Sequence, residues 1–122
     1  MPRYAVLCTI DEAKLALFAQ LRADHYAYLL EEQHRILFGG PARVAEGGRP
    51  ETMIIIVEAS STDDANAFIA AEPYNRRGGF SAVTVRPWSQ VLPELEPGSL
   101  QRTYDSERNS ATMRDTVGSL TS

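Results

Sequence analysis

A histidine on the interior stripe of a helix is a group that can move protons, and this chain has one at position 25. Leu15, Phe18, Leu21 with Arg22, His25 and Leu29 recur at steps of three and four, so the buried face of an amphipathic helix passes through His25, with Arg22 one turn before it. Imidazole is the side chain best suited to exchange protons near neutral pH. A second helix carries a matching oddity, because Ala65, Phe68 and Ile69 lead along its apolar face to Glu72. If the two meet, the carboxylate accepts from one ring nitrogen and fixes the tautomer, which leaves the other nitrogen for a substrate proton. Such a pair is a general base without a nucleophile, suited to proton abstraction, isomerisation or elimination. The competing readings are an interior histidine bonded to a backbone carbonyl and a solvated glutamate, since Pro73 disfavours helical geometry at Glu72.

Around this pair, Arg22 and the Arg76-Arg77 dipeptide could hold a carboxylate or phenolate, and Tyr74 could line a pocket with its hydroxyl. Arg76 and Arg77 also fit a solvated turn, and Tyr74 also fits packing. His34 follows Glu31-Glu32-Gln33 near a helix C-terminus, where the dipole favours a cation, so it is read as structural. The single cysteine, Cys8, falls in a strand and reads as a small buried hydrophobe. Two histidines and one cysteine, none at ligand spacing, make no closed zinc shell, so neither a metal nor another cofactor is expected. Gly39-Gly40 and Gly78-Gly79 lack the strand-loop-helix context of a phosphate loop and read as turns, and Trp88 reads as packing.

The elements that must position these groups follow from pattern. A first strand covers Arg3 to Thr9, and Thr9-Ile10-Asp11-Glu12 reads as a capping box that starts a helix running to about Gln33. Ile36 to Pro41 is a second strand, Ala42 to Pro50 a connection, and Met53 to Val57 a β-branched third strand. Ser60 to Asp64 supplies caps and first-turn acids for a helix ending near Ala71, and Ala82 to Arg86 is a fourth strand after a turn at Asn75 to Gly79. The order βαββαβ is the split βαβ, ferredoxin-like α+β arrangement, with a four-stranded antiparallel sheet and two helices on one face. Ile54 to Val57 is apolar on both faces of the strand, so the second face needs a cover. The sheet of a second subunit is the simplest one, giving a closed homodimer, and the C-terminal segment of the same chain is the alternative cover.

The chain has 122 residues, 43% of them apolar, and a net charge of -4, which suit one globular domain and give no basic field for nucleic acid or anionic membrane. No stretch approaches the ~20 apolar residues of a membrane span, and the start shows no secretory leader, so a cytoplasmic protein is expected. Residues 1–93 form the domain. Residues 94–122, rich in Ser, Thr, Arg and acids, are expected as an extended or disordered C-terminal arm.

Four motifs in order, Arg22-Ala-Asp-His25, Phe38-Gly39-Gly40-Pro41, Glu72-Pro73-Tyr74 with Arg77-Gly78-Gly79-Phe80, and Val83-Thr84-Val85-Arg86-Pro87-Trp88, resemble those of the YciI-like (YCII-related) family of dimeric α/β-barrel proteins. The resemblance covers residues 1–93. It implies a ferredoxin-like subunit, sheets paired in a homodimer, and a pocket with a histidine and an acid, carried here to His25 and Glu72. The family typically has Asp-Pro-Tyr or Asp-Pro-Phe, so Glu72 is one methylene longer. The resemblance implies lactone isomerisation-like or dehydrochlorination chemistry on a small organic molecule. The expected protein is a cofactor-independent isomerase, lyase or hydrolase, and the alternative is a non-catalytic metabolite-binding or accessory protein.

Overall fold

The computed structural model describes the backbone of residues 1–121 and the side chains of residues 1–114. Seven elements organise residues up to Trp88: β1 (Arg3–Ile10), α1 (Leu15–Glu32), β2 (Ile36–Arg43), β3 (Pro50–Glu58), α2 (Thr62–Ala70), α3 (Pro73–Arg76) and β4 (Phe80–Trp88), with a 3-10 turn on each side of α1 counted as connections. The sheet order is β2-β3-β1-β4 with every pair antiparallel, which is the arrangement expected from the βαββαβ order. The chain divides into two compact units, residues 1–89 and 90–122.

In the first unit the register sorts the two sheet faces. Tyr4, Val6 and Cys8 of β1 oppose Val57, Ile55 and Met53 of β3, and all six are buried in one core with Ala65, Phe68 and Ile69 of α2. Alternation sends Leu7 and Ile54 to the opposite face, beside Phe38 of β2, where they remain 41%, 39% and 52% exposed. Helices α1 and α2 are joined on the first face by the Tyr28 hydroxyl, which donates to the Phe68 carbonyl at 2.7 Å. The α2 start is built as its residues suggest: the Ser61 hydroxyl accepts from the Asp64 N–H at 3.1 Å.

Three expectations are corrected. The capping box at Thr9 does not form, because β1 stays paired with β4 through Ile10↔Phe80 and Thr9 belongs to the sheet. Asp11 is the first residue free to turn, and its carboxylate caps the 3-10 turn by accepting from the Ala13 N–H at 2.9 Å. Glu12 instead pairs with Arg49 at 2.5 Å. The turn expected at Asn75 to Gly79 opens with a further helical turn, α3. Pro73, read as a helix stop, starts it, since proline is pre-shaped for the first helical position.

The third correction concerns the second unit, where the segment expected as an extended or disordered arm contains a helix, α4 (Ser99–Thr121). Its start is locally satisfied: the Glu94 carboxylate accepts from the Leu100 N–H at 2.8 Å, and Gln101 donates to Asp105 one turn on at 3.0 Å. Low apolar density does not prevent a helix whose polar groups find partners along its own surface. No helix among the described residues is long and apolar enough to cross a membrane.

Candidate active site

His25 sits where its helical spacing sends it, inward from the middle of α1, and is 8% exposed. Glu72 is the surprise. It is not a solvated helix end but a fully buried residue, 0% exposed, at the junction between α2 and α3. Its extended backbone makes it the N-cap of α3, and one carboxylate oxygen, Oε2, accepts from the Asn75 N–H at 3.1 Å. The other oxygen, Oε1, lies 2.6 Å from His25 Nδ1. One side chain therefore caps α3 and grips an imidazole. The additional methylene of glutamate provides reach for both contacts.

A carboxylate on Nδ1 makes this nitrogen the donor and leaves Nε2 as the nitrogen with a lone pair. The ring is held on its flat side by Tyr74, stacked at 4.2 Å between centroids with 20° between planes. Phe18 continues the aromatic wall, 4.5 Å from Tyr74 and 5.7 Å from Phe80. Gly79 makes room for it, since a Cβ there would lie 2.8 Å from Phe18 Cζ. Backbone bonds close the turn behind this wall, from the Gly79 N–H to the Tyr74 carbonyl and from the Asp11 N–H to the Gly79 carbonyl, each at 2.9 Å.

The histidine faces a cleft of about 1090 Å³ between α1 and strands β2 and β3. Apolar side chains dominate its walls, among them Leu15, Leu29 and Ile36, with Met53 and Ile55 below. This accounts for the exposure of Leu15, Tyr26 and Leu30 on α1, which border an open cleft. Arg22 borders it too. Its guanidinium reaches the Tyr74 hydroxyl, whose pKa burial raises and Arg22 partly lowers again. Cys8 lies under the site, its thiol pushed up to about 12 by burial first and by the nearby Glu72 charge second, so it stays protonated and inert.

Of the residues singled out by sequence, the structure brings His25, Glu72, Tyr74 and Arg22 together. Arg77 is exposed at the end of α3 and is not among the cleft-lining residues, nor is Arg76. His34 is exposed in the 3-10 turn after α1. Among the described residues no three His, Cys, Asp or Glu side chains cluster as a metal site needs. Pattern reading missed Arg43 and Gly39 as cleft residues and Asn75 as a brace, whose amide donates to the Ile69 carbonyl at 2.9 Å. Gly39, which with Gly40 reads from sequence as a turn, lies inside β2, and Arg43 and Asn75 interrupt no hydrophobic period that would mark them.

The model of the YCII-related domain matches residues 2–89 of the chain. No curated protein matches it. Among solved structures the chain is similar to 5-chloro-2-hydroxyhydroquinone dehydrochlorinase (TftG) from Burkholderia phenoliruptrix AC1100, in complex with 2,5-dihydroxybenzoquinone. The two share 26% identity and a TM-score of 0.67 over 72% of this chain and 94% of that one. It is also similar to protein Atu4242 from Agrobacterium tumefaciens, at 10% identity and a TM-score of 0.49, over 78% of this chain and 98% of that one.

Proposed function

For a chain that belongs to the YCII-related domain family, we propose a cofactor-independent enzyme in which His25, oriented by Glu72, moves a proton on a small cyclic organic molecule. The observation that carries this reading is the 2.6 Å contact between His25 Nδ1 and a fully buried carboxylate at an apolar cleft. A carboxylate is expensive to bury, and one that is buried against an imidazole lining an open cleft is the arrangement general-base catalysis needs. A dehydrochlorinase of similar structure supports the reaction class.

Nε2 takes a proton from the substrate, and the resulting imidazolium is stabilised by Glu72, which keeps its own charge. The electron pair left on the substrate then either expels chloride, for a net loss of HCl, or is reprotonated at another carbon, for isomerisation. Arg22 and the Tyr74 hydroxyl stand beside the ring to receive negative charge on substrate oxygen.

We further read the protein as a homodimer whose sheets face each other. The exposed Leu7, Phe38 and Ile54 on the face opposite the helices support it.

Chloride release from 5-chloro-2-hydroxyhydroquinone, together with a panel of lactones and carbonyl acids, tests the enzyme reading. Turnover that falls by about 10²-fold or more in His25→Ala, and persists in His34→Ala, is the expected result. Binding without turnover by the wild type assigns the cleft to metabolite binding instead, and turnover indifferent to His25→Ala removes His25 as the base.

A further inference from the structure

Gly39 has no conformational reason to be glycine. It lies inside β2, it is not among the glycines with positive φ, and a Cβ there would meet its nearest neighbours, Ile36 Cγ2 and the Ile54 carbonyl, at 3.7 and 3.9 Å, which is ordinary contact. A glycine in a strand weakens it and gives nothing to pack. Its bare backbone lines the cleft.

Its place along the cleft is informative. Helix α1 and strand β2 are joined by the tight turn Gln33–Arg35, and both border the cleft along its length, with Gln33 and Ile36 at one end and Leu15 and Arg43 at the other. The helix covers about 27 Å between its two cleft ends at 1.5 Å per residue. The strand covers about 23 Å between its own at 3.3 Å per residue. Stepping evenly from the shared turn brings the strand to Gly39 and Gly40 where the helix reaches His25 and Arg22. On ideal spacing the missing side chain thus falls in the part of the β2 wall level with the proton-transfer group, and both line the same cleft. The charged residues among those lining the cleft are Arg22 and Arg43, both cations, because Glu72 is buried behind His25.

We propose that Gly39 is the floor of a ring-binding subsite. A flat aromatic anion lies between α1 and β2 with its ring on the Gly39 backbone, its anionic oxygen at Arg22 and the Tyr74 hydroxyl, and its reacting position at His25. The glycine serves the ligand: any side chain at position 39 occupies the slot the ring needs. This rests on the reading of the cleft as the active site and narrows its substrate class to planar aryl carboxylates and phenolates.

The test reads binding rather than turnover, by chemical-shift titration of the full-length protein with benzoate, cyclohexanecarboxylate and benzamide. Benzoate is flat and anionic, the second is anionic but puckered, and the third is flat but neutral. The wild type should prefer benzoate to each by about tenfold or more. Gly39→Val should lose benzoate by about tenfold or more, with Gly39→Ala between it and wild type. Arg22→Gln should abolish the preference for benzoate over benzamide, and Arg102→Gln should leave it intact. Melting curves confirm that the variants fold, and Gly39→Ala keeps the test decisive if valine does not. No benzoate binding at millimolar concentration, equal binding of the puckered acid, or undiminished binding in both Gly39 variants overturns the proposal. Benzoate binding with these preferences but no turnover of any substrate would remove the enzyme reading alone.

Discussion

At the scale of single residues, the site depends on how one carboxylate divides its oxygens. Glu72 Oε2 caps α3 while Oε1 holds His25, and these contacts are 3.1 and 2.6 Å long. Aspartate in the same backbone position retains the cap, since a shorter side chain suits that role, but draws back from the imidazole by about one C–C bond. Glu72→Asp should therefore lower turnover by about 10²-fold, a typical cost of misplacing a catalytic group by an ångström, with little change in melting temperature. Glu72→Gln keeps the length but cannot stabilise an imidazolium, and turnover should fall by about 10²–10⁴-fold. Equal activity in wild type and both variants would show that Glu72 serves the fold only. The inward aim of His25 was legible from spacing alone. The burial of Glu72 was not, because Pro73 marks the end of one helix and the start of the next with the same ring.

At the scale of elements, α3 and the two glycines after it stand behind the aromatic wall of the cleft that Tyr74, Phe18 and Phe80 make. Gly78 adopts φ +76°, open to glycine without strain, and Gly79 accepts Phe18 where a methyl group would intrude. The obstructing atom is a ring edge wedged between Tyr74 and Phe80, 4.5 and 5.7 Å away by ring centroids, so it has little freedom to move. Gly79→Ala should cost about 1–3 kcal/mol, read as a lower urea midpoint, as overpacked sites do. An unchanged midpoint would mean that Phe18 moves freely. The pair Gly78-Gly79 reads from sequence as a turn, which is half of its role. Its other half, clearance for an aromatic ring some sixty residues earlier in the chain, involves a neighbour that only folding brings close.

At the scale of the whole molecule, the sheet has one face under helices and another with exposed apolar side chains. Leu7, Ile54 and Phe38 lie on strands adjacent in the sheet, and a patch of that kind is what a subunit interface would cover. Light scattering at micromolar concentration should give the mass of two chains for the wild type. Ile54→Arg should give one chain with retained helical circular dichroism, because the side chain points away from the core of Tyr4, Val6 and Phe68. A monomeric wild type would refute the paired-sheet reading. Removal of residues 90–122 is not required for this measurement, since among the described residues every one of the buried core lies within residues 1–89.

What the amino-acid sequence determined by itself is everything carried by short-range period and composition. The continuous β-branched run of β3, the cap at Ser61, the βαββαβ order and the inward histidine are all local regularities, and the motif resemblance extended them to a family and a pair of site residues. Tertiary structure alone decided the contacts between distant segments. Glu72 meets His25 across 47 residues of chain, Gly39 comes opposite α1 through the run of a strand against a helix, and Arg43 enters the cleft while Arg77 stays outside it. No periodicity encodes these meetings, because they depend on which of several compatible packings buries the most apolar surface while leaving each buried polar group with a partner. The α4 helix shows the same limit at short range, where side-chain capping and pairing outweigh a composition poor in apolar residues.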